Sequence, residues 1–299
     1  MLDNANKFGY YTVGNKKTYS KYEAFEWGTP TWHFNDEVFS SYDWKKEPDI
    51  SLSNLYKNRV RQIREKYDYC VLWYSGGSDS HNILQAWLDS GCKLDEVATT
   101  WNYETTGDYY NHYNAEITHV VLQDIKKLKD KGFDFNFRLL NIPEYGLKTF
   151  AKFNNDLEYH FNYNLQLSSI GKQFIRDEVK DYKNLIEQGK KVCFIWGKEK
   201  PYIFYEDGRY YFSFIDSIDD CLGPYTQSKF NSGWYDELFY WTPDMPELAV
   251  KAAHVIFNFL KISDDVSCFR SEPYDNYSCY SNKLNMHLKI NVLKKLLYP

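Results

Sequence analysis

The sequence lacks long apolar runs, a secretion-type start and paired cysteines. No apolar run approaches the roughly 20 residues that a helix needs to cross a bilayer. The first residues, Met1-Leu2-Asp3-Asn4, have neither a basic flank nor an apolar stretch. The six cysteines are scattered, and no two form a C-x-x-C pair. These absences argue against a membrane protein, a disulfide scaffold and a zinc or iron–sulfur site, and they predict a protein of the reducing cytoplasm.

Strong charge of one sign is missing as well. The 299 residues include 36 Lys and Arg against 41 Asp and Glu, for a formal net charge of -5. A general nucleic-acid binder usually presents a basic face, so this balance disfavours nucleic acid as a partner, although a tRNA or a modified nucleotide stays open as a substrate. Aromatic residues reach 19%. Because Tyr, Phe, Lys, Asn and Ile have AT-rich codons, this bias favours an AT-rich source, such as a virus whose protein acts in the host cytoplasm.

The patterns divide the chain into three parts. Residues 1–50 are aromatic, polar and rich in turn residues, which predicts an irregular N-terminal extension. Residues 51–200 alternate strands with helices and predict the core. Residues 201–299 predict a C-terminal region packed on that core, with a hairpin on either side of Asp207-Gly208 and helices after it. The aromatic-rich ends are therefore interpreted as additions to one central domain.

Apolar segments of the central part alternate between strand and helix spacing. Strands are predicted at 69–74, 96–101, 135–142 and 191–196, and helices at about 52–63, 83–88 and 115–131. Further helices are predicted within 144–190, from Thr242-Pro243 to about residue 261, and at 284–297. Strands this apolar suit a parallel sheet that is covered on both faces. The alternation therefore predicts an α/β fold with a parallel sheet and helices on both of its faces.

A loop rich in Ser and Gly follows the first core strand and opens a helix; it reads Ser75-Gly76-Gly77-Ser78-Asp79-Ser80. In open α/β sheets, ligands bind at such carboxyl ends of strands. Two adjacent glycines let the backbone approach an anion closely, and the N–H groups at the start of a helix favour phosphate. Asp79 would repel a bare phosphate, so its presence predicts a Mg²⁺ ion between its carboxylate and the phosphates.

Two other phosphate-binding motifs are absent. The sequence contains no G-x-x-x-x-G-K-[ST] of the Walker type and no G-x-G-x-x-G of the dinucleotide type. From the residues alone, the alternative that remains is a turn that uses Ser, Gly and Asp for structural reasons.

The loop resembles the S-G-G-x-D-S signature of the PP-loop ATP pyrophosphatases, and the resemblance extends roughly over residues 68–200. That group includes asparagine synthetase, GMP synthetase, tRNA-modifying ligases and sulfurtransferases, and phosphoadenylylsulfate reductases. The resemblance implies a PP-loop nucleotide-binding core with ATP and Mg²⁺ as cofactors. It also implies that a substrate oxygen attacks the α-phosphate of ATP, that pyrophosphate leaves, and that an amine or another nucleophile then displaces AMP from the adenylate.

The resemblance assigns roles to positions of this sequence. The pyrophosphate-binding positions are matched by Ser75, Gly76, Gly77, Asp79 and Ser80, while Ser78 takes the variable position. Asp79 also matches the position that tends to hold Mg²⁺. In this family the next strand commonly lies near the adenine, so its last residues, Thr99, Thr100 and Trp101, are candidates for the base pocket. Packing in the core is the alternative for Trp101.

Other polar residues are further candidates. Lys198 and Lys200 follow an apolar strand, where a lysine could neutralise the leaving pyrophosphate, so they join Asp79 as candidate catalytic residues. An exposed polar turn is the alternative for these lysines. Metal binding or acid–base chemistry would suit several other side chains, which solvated surface positions explain as well: His81, Asp108, His112, His119, Asp216, Asp219 and Asp220.

Missing cysteine motifs narrow the predicted function. The sequence lacks the C-x-x-C pair of thiolating tRNA enzymes, the zinc cysteines of the deazapurine-forming branch and the C-terminal cysteine motif of the sulfonucleotide reductases. The stretch before the loop is too short for a glutamine-hydrolysing domain. We therefore expect an adenylating ligase that activates a carboxylate or carbonyl oxygen of a small-molecule acceptor, with the amine taken free or from a partner. An ATP-binding module without turnover, and a sulfur-transfer or reductase relative, are the alternatives.

Overall fold

The fold is given by a computed structural model. It describes residues 9–19, 21–34, 37–101, 114–141, 143, 145, 147–148, 151, 178–197, 202–206, 209–213 and 233–262. Among these residues, no helix is both long and apolar enough to cross a membrane.

The N-terminal part forms a small sheet with two short helices. In chain order its elements are β1 Gly9–Val13, β2 Lys16–Thr18, α1 Lys21–Trp27, β3 Thr31–Phe34 and α2 Glu37–Ser41. The three strands pair antiparallel in the order β2-β1-β3. The predicted irregular extension is therefore wrong for this segment. Its strands were obscured because they are short and their apolar residues contact one another across strands, as Tyr11 and Trp32 do.

The remaining strands build a central sheet and one hairpin. They are β4 Tyr69–Trp73, β5 Glu96–Trp101, β6 Asn136–Asn141, β7 Val192–Trp196, β8 Tyr202–Glu206, β9 Arg209–Ser213 and β10 Trp234–Leu238. The central sheet has the order β10-β7-β4-β5-β6, and all of its neighbouring strands run parallel. β8 and β9 pair antiparallel with Glu206 opposite Arg209, which confirms the predicted hairpin. All four predicted core strands are confirmed to within one residue at each end.

Five α-helices and one π-helical segment accompany these strands in the described part of the chain. They are α3 Leu52–Lys66, α4 Ser78–Ser90, the π segment Ile117–Val121, α5 Leu122–Asp130, α6 Lys180–Glu187 and α7 Pro246–Ile262. The Ser51 side chain caps α3 by accepting from the Asn54 N–H, and Gly91 ends α4 at a left-handed φ of 70°. The helix predicted at 115–131 is thus present, with a π segment in its first half. The helix predicted at 284–297 lies outside the described residues.

Side chains of the central sheet alternate between two cores. In β4, Cys70 and Leu72 face a core that includes residues of α3, α4, α5 and α7, while Val71 and Trp73 face a second core against α6. Because successive side chains of a strand point to opposite faces, this alternation shows that the sheet is covered on both sides. The α/β class with helices on both faces is therefore confirmed.

The edge strand β10 was not foreseen from the sequence. Its Trp-Tyr-Asp-Glu-Leu residues carry two carboxylates, yet Asp236 and Glu237 are buried. Glu237 accepts a hydrogen bond from Arg59 at 2.5 Å, and Asp236 accepts one from the Trp196 indole at 2.6 Å. The sheet therefore includes a strand from the 201–299 region, and the division of the chain at residues 50 and 200 stays a prediction.

Candidate functional site

The Ser-Gly-Gly-Ser-Asp-Ser loop connects the carboxyl end of β4 to the start of α4. Its first and last serines hold each other: the Ser75 and Ser80 hydroxyls are 3.2 Å apart, and Ser80 Oγ also accepts from the Ser75 N–H at 3.2 Å. The Ser80 hydroxyl lies 3.1 Å from the Gly77 carbonyl, and Ser75 Oγ accepts from the Gly77 N–H at 3.3 Å. The hydroxyls expected to bind phosphate thus close the loop into a compact turn.

Gly76 has the backbone conformation that requires glycine. Its φ is +84°, in the left-handed region that a Cβ disfavours. A Cβ at this position would lie 2.9 Å from Val121 Cγ2, at the end of the π segment. Gly77 is the N-cap of α4 and makes no side-chain cap hydrogen bond. The start of a helix favours an anion through its backbone N–H groups.

Two carboxylates lie close to this turn. Asp79 is in the first turn of α4, and a Cβ at position 77 would lie 3.7 Å from Glu116 Oε1. Two negative charges beside a phosphate site are unfavourable unless a cation offsets them. No cluster of three or more His, Cys, Asp or Glu side chains is suited to a metal within the described ranges. A divalent ion here would therefore need oxygens of a bound phosphate in addition to the protein carboxylates.

Two tyrosines from other segments of the chain interact with Asp79. The Tyr240 hydroxyl donates a hydrogen bond to the Asp79 carbonyl oxygen at 2.8 Å. Burial, with the negative charge of Asp79 added to it, raises the pKa of Tyr56. Asp79 is thus bonded by a buried tyrosine of the segment after β10 and lies near enough to a buried tyrosine of α3 to affect its pKa.

A hydrogen-bonded group of Tyr74, His81 and Asp124 lies next to the loop. The Tyr74 hydroxyl is 3.0 Å from His81 Nδ1 and donates to Asp124 Oδ2 at 3.0 Å, and the imidazole and carboxylate are 3.5 Å apart. Burial and the nearby carboxylate raise the pKa of Tyr74, so the phenol stays protonated. Because Nδ1 faces Tyr74 and Asp124, Nε2 of the half-exposed His81 ring points away from them.

The base-pocket candidates divide between the two faces of the sheet. Trp101 packs against the core on the side of α4, whereas Thr100 shares the parity of Ala98, which faces the core beside α6. The Thr99 hydroxyl is committed to the Tyr74 carbonyl at 2.6 Å. Trp101 is paired in register with Asn141 of β6. Among the described residues Asn141 Oδ1 is buried with no hydrogen-bond partner, which marks a buried acceptor next to Trp101.

The segment after β7 reaches the loop at Gly197. A Cβ at position 197 would lie 3.2 Å from the Ser80 amide nitrogen and 3.3 Å from the Asp79 carbonyl carbon. A Cβ at position 197 would therefore force its neighbours to shift by a few tenths of an ångström, and glycine avoids this crowding. Lys198 and Lys200 follow directly, but both lie outside the described residues, so their roles stay predictions. Asp108, His112, Asp216, Asp219 and Asp220 lie outside them as well, while His119 is within the π segment.

Several residues of this site were missed by sequence reasoning. Tyr74, Glu116, Asp124 and Tyr240 carry no motif. Tyr74 directly precedes the loop, and the fold brings the other three to the loop or its neighbours. A weak signal existed for Asp124, since it lies on the apolar-striped helix that follows the second core strand. For Tyr240 the sequence contains no comparable signal.

Comparison with known proteins identifies no family for this chain. No protein-family model matches the chain, and no curated protein matches its sequence. Membership of the PP-loop ATP pyrophosphatases therefore stays a prediction, and the function has to be inferred from the residues and their geometry.

Proposed function

We propose that this protein binds ATP with Mg²⁺ at the Ser75–Ser80 loop and cleaves it between the α and β phosphates to form an adenylate. The observation that carries the proposal is the turn itself. The buried parallel strand β4 is followed by a loop in which Gly76 has a φ of +84°, and a helix of 13 residues without a side-chain cap begins two residues after that glycine. This arrangement of glycine turn and helix N-terminus is the one that favours phosphate.

The charges around the turn support Mg²⁺ as the companion of the nucleotide. Asp79 and Glu116 bring two carboxylates to a place where triphosphate would add further negative charge. Mg²⁺ prefers oxygen ligands and often binds through one or two carboxylates together with substrate phosphates. In this proposal Asp79 would hold the ion, and the ion would offset the negative charge of the pyrophosphate part of ATP.

The proposed base pocket is the edge formed by the last residues of β5 and β6. Trp101 is partly buried there against the core, and Asn141 Oδ1 beside it is a buried acceptor. A buried acceptor without a donor costs about 1–3 kcal/mol, which the exocyclic amine of adenine would offset. Lys198 and Lys200 remain the candidates for neutralising the leaving pyrophosphate.

The proposed reaction follows the chemistry of the family that the loop resembles. A carboxylate or carbonyl oxygen of the acceptor forms a bond to the α-phosphorus, and the bond from that phosphorus to the bridging α–β oxygen breaks, so pyrophosphate leaves. An amine or another nucleophile then attacks the activated carbon and displaces AMP. The acceptor and the amine donor are left open.

Sulfur transfer is the less favoured alternative because two of the described cysteines are deeply buried. Burial raises the pKa of the Cys70 thiol to about 12 and raises that of Cys193 as well. A thiol with so high a pKa is protonated at neutral pH and is a poor sulfur carrier. Neither residue is therefore a candidate for a persulfide or disulfide step.

The test separates binding from cleavage. Binding of ATP and of its uncleavable α,β-methylene analogue is measured by calorimetry with Mg²⁺ and with EDTA, and the products of ATP with a panel of carboxylates and ammonia are identified by chromatography. We expect Mg²⁺-dependent binding, with AMP and pyrophosphate as products. ADP and phosphate would rule out α–β cleavage, while binding with no products from any acceptor would favour the module without turnover.

A further inference from the structure

Tyr240 connects the edge of the sheet to the first turn of α4. Its hydroxyl donates to the carbonyl oxygen of Asp79 at 2.8 Å and accepts from Asn82 Nδ2 at 3.0 Å. Tyr240 is 3% exposed, so both bonds form away from water, where hydrogen bonds are electrostatically stronger. Tyr240 therefore bonds the backbone of Asp79 although the two residues are 161 positions apart.

The direction of this hydroxyl is set by packing. The Tyr240 ring meets the Tyr56 ring edge-on at a centroid distance of 5.7 Å, and it meets the Phe239 ring in the same way at 5.2 Å. Edge-to-face contacts of this kind are favourable and orient the rings. The hydroxyl consequently has little freedom to turn away from α4.

The same turn of α4 is also contacted by the segment after β7. The notional Cβ at Gly197 would lie 3.2–3.3 Å from the Ser80 amide nitrogen and the Asp79 carbonyl carbon. β7 and β10 are neighbours, and their ladder continues past the strands through the hydrogen bond from Phe239 N–H to the Trp196 carbonyl at 3.0 Å. Two strand ends that are held together thus both contact the backbone at Asp79.

We infer that Tyr240 is a positioning residue, which holds the first turn of α4 so that the Asp79 carboxylate is in place for the Mg²⁺ ion of bound ATP. The inference rests on the proposed function. Its physical basis is that Mg²⁺ demands near-ideal octahedral geometry, so a ligand that shifts with its helix turn binds the ion less well. Tyr240 contacts neither the ion nor the nucleotide in this account and acts through Asp79.

The test compares two substitutions that each remove one hydroxyl. Tyr240→Phe keeps the ring and deletes the bonds to Asp79 and Asn82. Tyr69→Phe is the control, because its hydroxyl donates to Glu96 Oε2 at 2.9 Å at the opposite end of the sheet. The Mg²⁺ concentration that gives half-maximal binding of α,β-methylene ATP should rise roughly two- to tenfold in Tyr240→Phe, the range that one neutral hydrogen bond produces. The control should leave this concentration unchanged.

A folded Tyr240→Phe protein with the wild-type Mg²⁺ dependence would overturn the inference. Circular dichroism establishes folding, and if Tyr240→Phe does not fold, Asn82→Leu replaces it, because it removes the donor that orients the Tyr240 hydroxyl. A folded Asn82→Leu protein with unchanged Mg²⁺ dependence then rejects the inference. Wild-type protein that binds no nucleotide at any Mg²⁺ concentration rejects the proposed function and the inference with it, whereas wild-type binding with unaffected variants rejects the inference alone.

Discussion

The two ends of the central sheet differ in the polar groups that the fold brings together. At the amino-terminal end, Glu96 is fully buried and accepts from Arg138 at 2.7 Å, from the Tyr182 hydroxyl at 2.5 Å and from the Tyr69 hydroxyl at 2.9 Å. Nearby, the Asp95 carboxylate pairs with Arg64 and accepts from the Cys70 N–H at 2.8 Å. Each of these acids thus has a cation within the fold.

At the carboxyl end, the serine hydroxyls of the loop bond neutral groups. The Ser75 and Ser80 hydroxyls bond each other and the backbone, and the Tyr240 hydroxyl donates to the Asp79 carbonyl oxygen. Glu116 adds a second carboxylate beside Gly77. At the amino-terminal end, removing a cation would leave a buried acid uncompensated. At the carboxyl end, the glycines, hydroxyls and carboxylates are the groups on which the proposed binding of ATP and Mg²⁺ rests.

The largest expected effect concerns the paired end. Arg138→Met leaves Glu96 charged and buried without its cation, so the free energy of unfolding should fall by about 3 kcal/mol. Urea denaturation measures this change. Asp181→Asn is the matched control, because it removes the exposed partner of the same arginine and should cost less than about 1 kcal/mol. A large loss of ATP affinity in folded Arg138→Met would contradict the proposal that ATP binds at the carboxyl end and not at the amino-terminal end of the sheet.

The next effect concerns the loop end. Ser75→Ala combined with Asp79→Ala should weaken ATP binding by about 100-fold, equal to about 2.7 kcal/mol, because a hydroxyl and the proposed Mg²⁺ ligand are lost. Calorimetry gives the affinity. Ser90→Ala, at the far end of the same helix, removes a hydroxyl that bonds the Trp87 carbonyl and should leave the affinity unchanged. Equal ATP affinity in the wild type, the double variant and Ser90→Ala would show that the loop is not the ATP site.

A smaller effect separates backbone strain from crowding. Gly76→Ala and Gly91→Ala both place a Cβ at a left-handed φ, of +84° and +70°, and each should cost about 1–2 kcal/mol of stability. Only the Cβ at position 76 meets another atom, Val121 Cγ2 at 2.9 Å, since nothing lies within 4 Å of position 91. Calorimetric titration with ATP should therefore show weaker binding in Gly76→Ala alone. Equal loss of affinity in both variants would mean that the loop has no special role.

The smallest effect depends on pH. Burial raises the pKa of Cys70 from 9.0 to about 12, so above pH 9 the unfolded chain loses the thiol proton while the folded chain keeps it. Stability from this group is therefore complete below pH 9 and falls as pH rises toward 12. Cys70→Ala should remove about 1 kcal/mol of the decline between pH 8 and pH 10, measured by urea denaturation at each pH. Cys92→Ala, at a partly exposed position, is the control; an identical decline in Cys70→Ala and wild type would contradict the assignment.

The sheet could be predicted where its evidence is local. β4, the loop and α4 are consecutive, and apolar runs, adjacent glycines and the Gly91 stop mark them within about 25 residues of sequence. β10 could not be predicted in this way. Its Asp236 and Glu237 resemble exposed residues until Trp196 and Arg59, from distant parts of the chain, are placed beside them.

The candidate site also consists of local features that the sequence predicts and long-range contacts that it does not. The sequence by itself determined the strand, the glycine turn, the helix start and the acidic residue at position 79, because periodicity and turn chemistry act between near neighbours. Tertiary structure alone decided that Tyr240, Gly197 and Glu116 surround that turn, since their contacts join segments whose separation in sequence contains no information about their distance in space. Burial then makes those contacts count, because a hydrogen bond or a close approach in a packed interior cannot be exchanged for water.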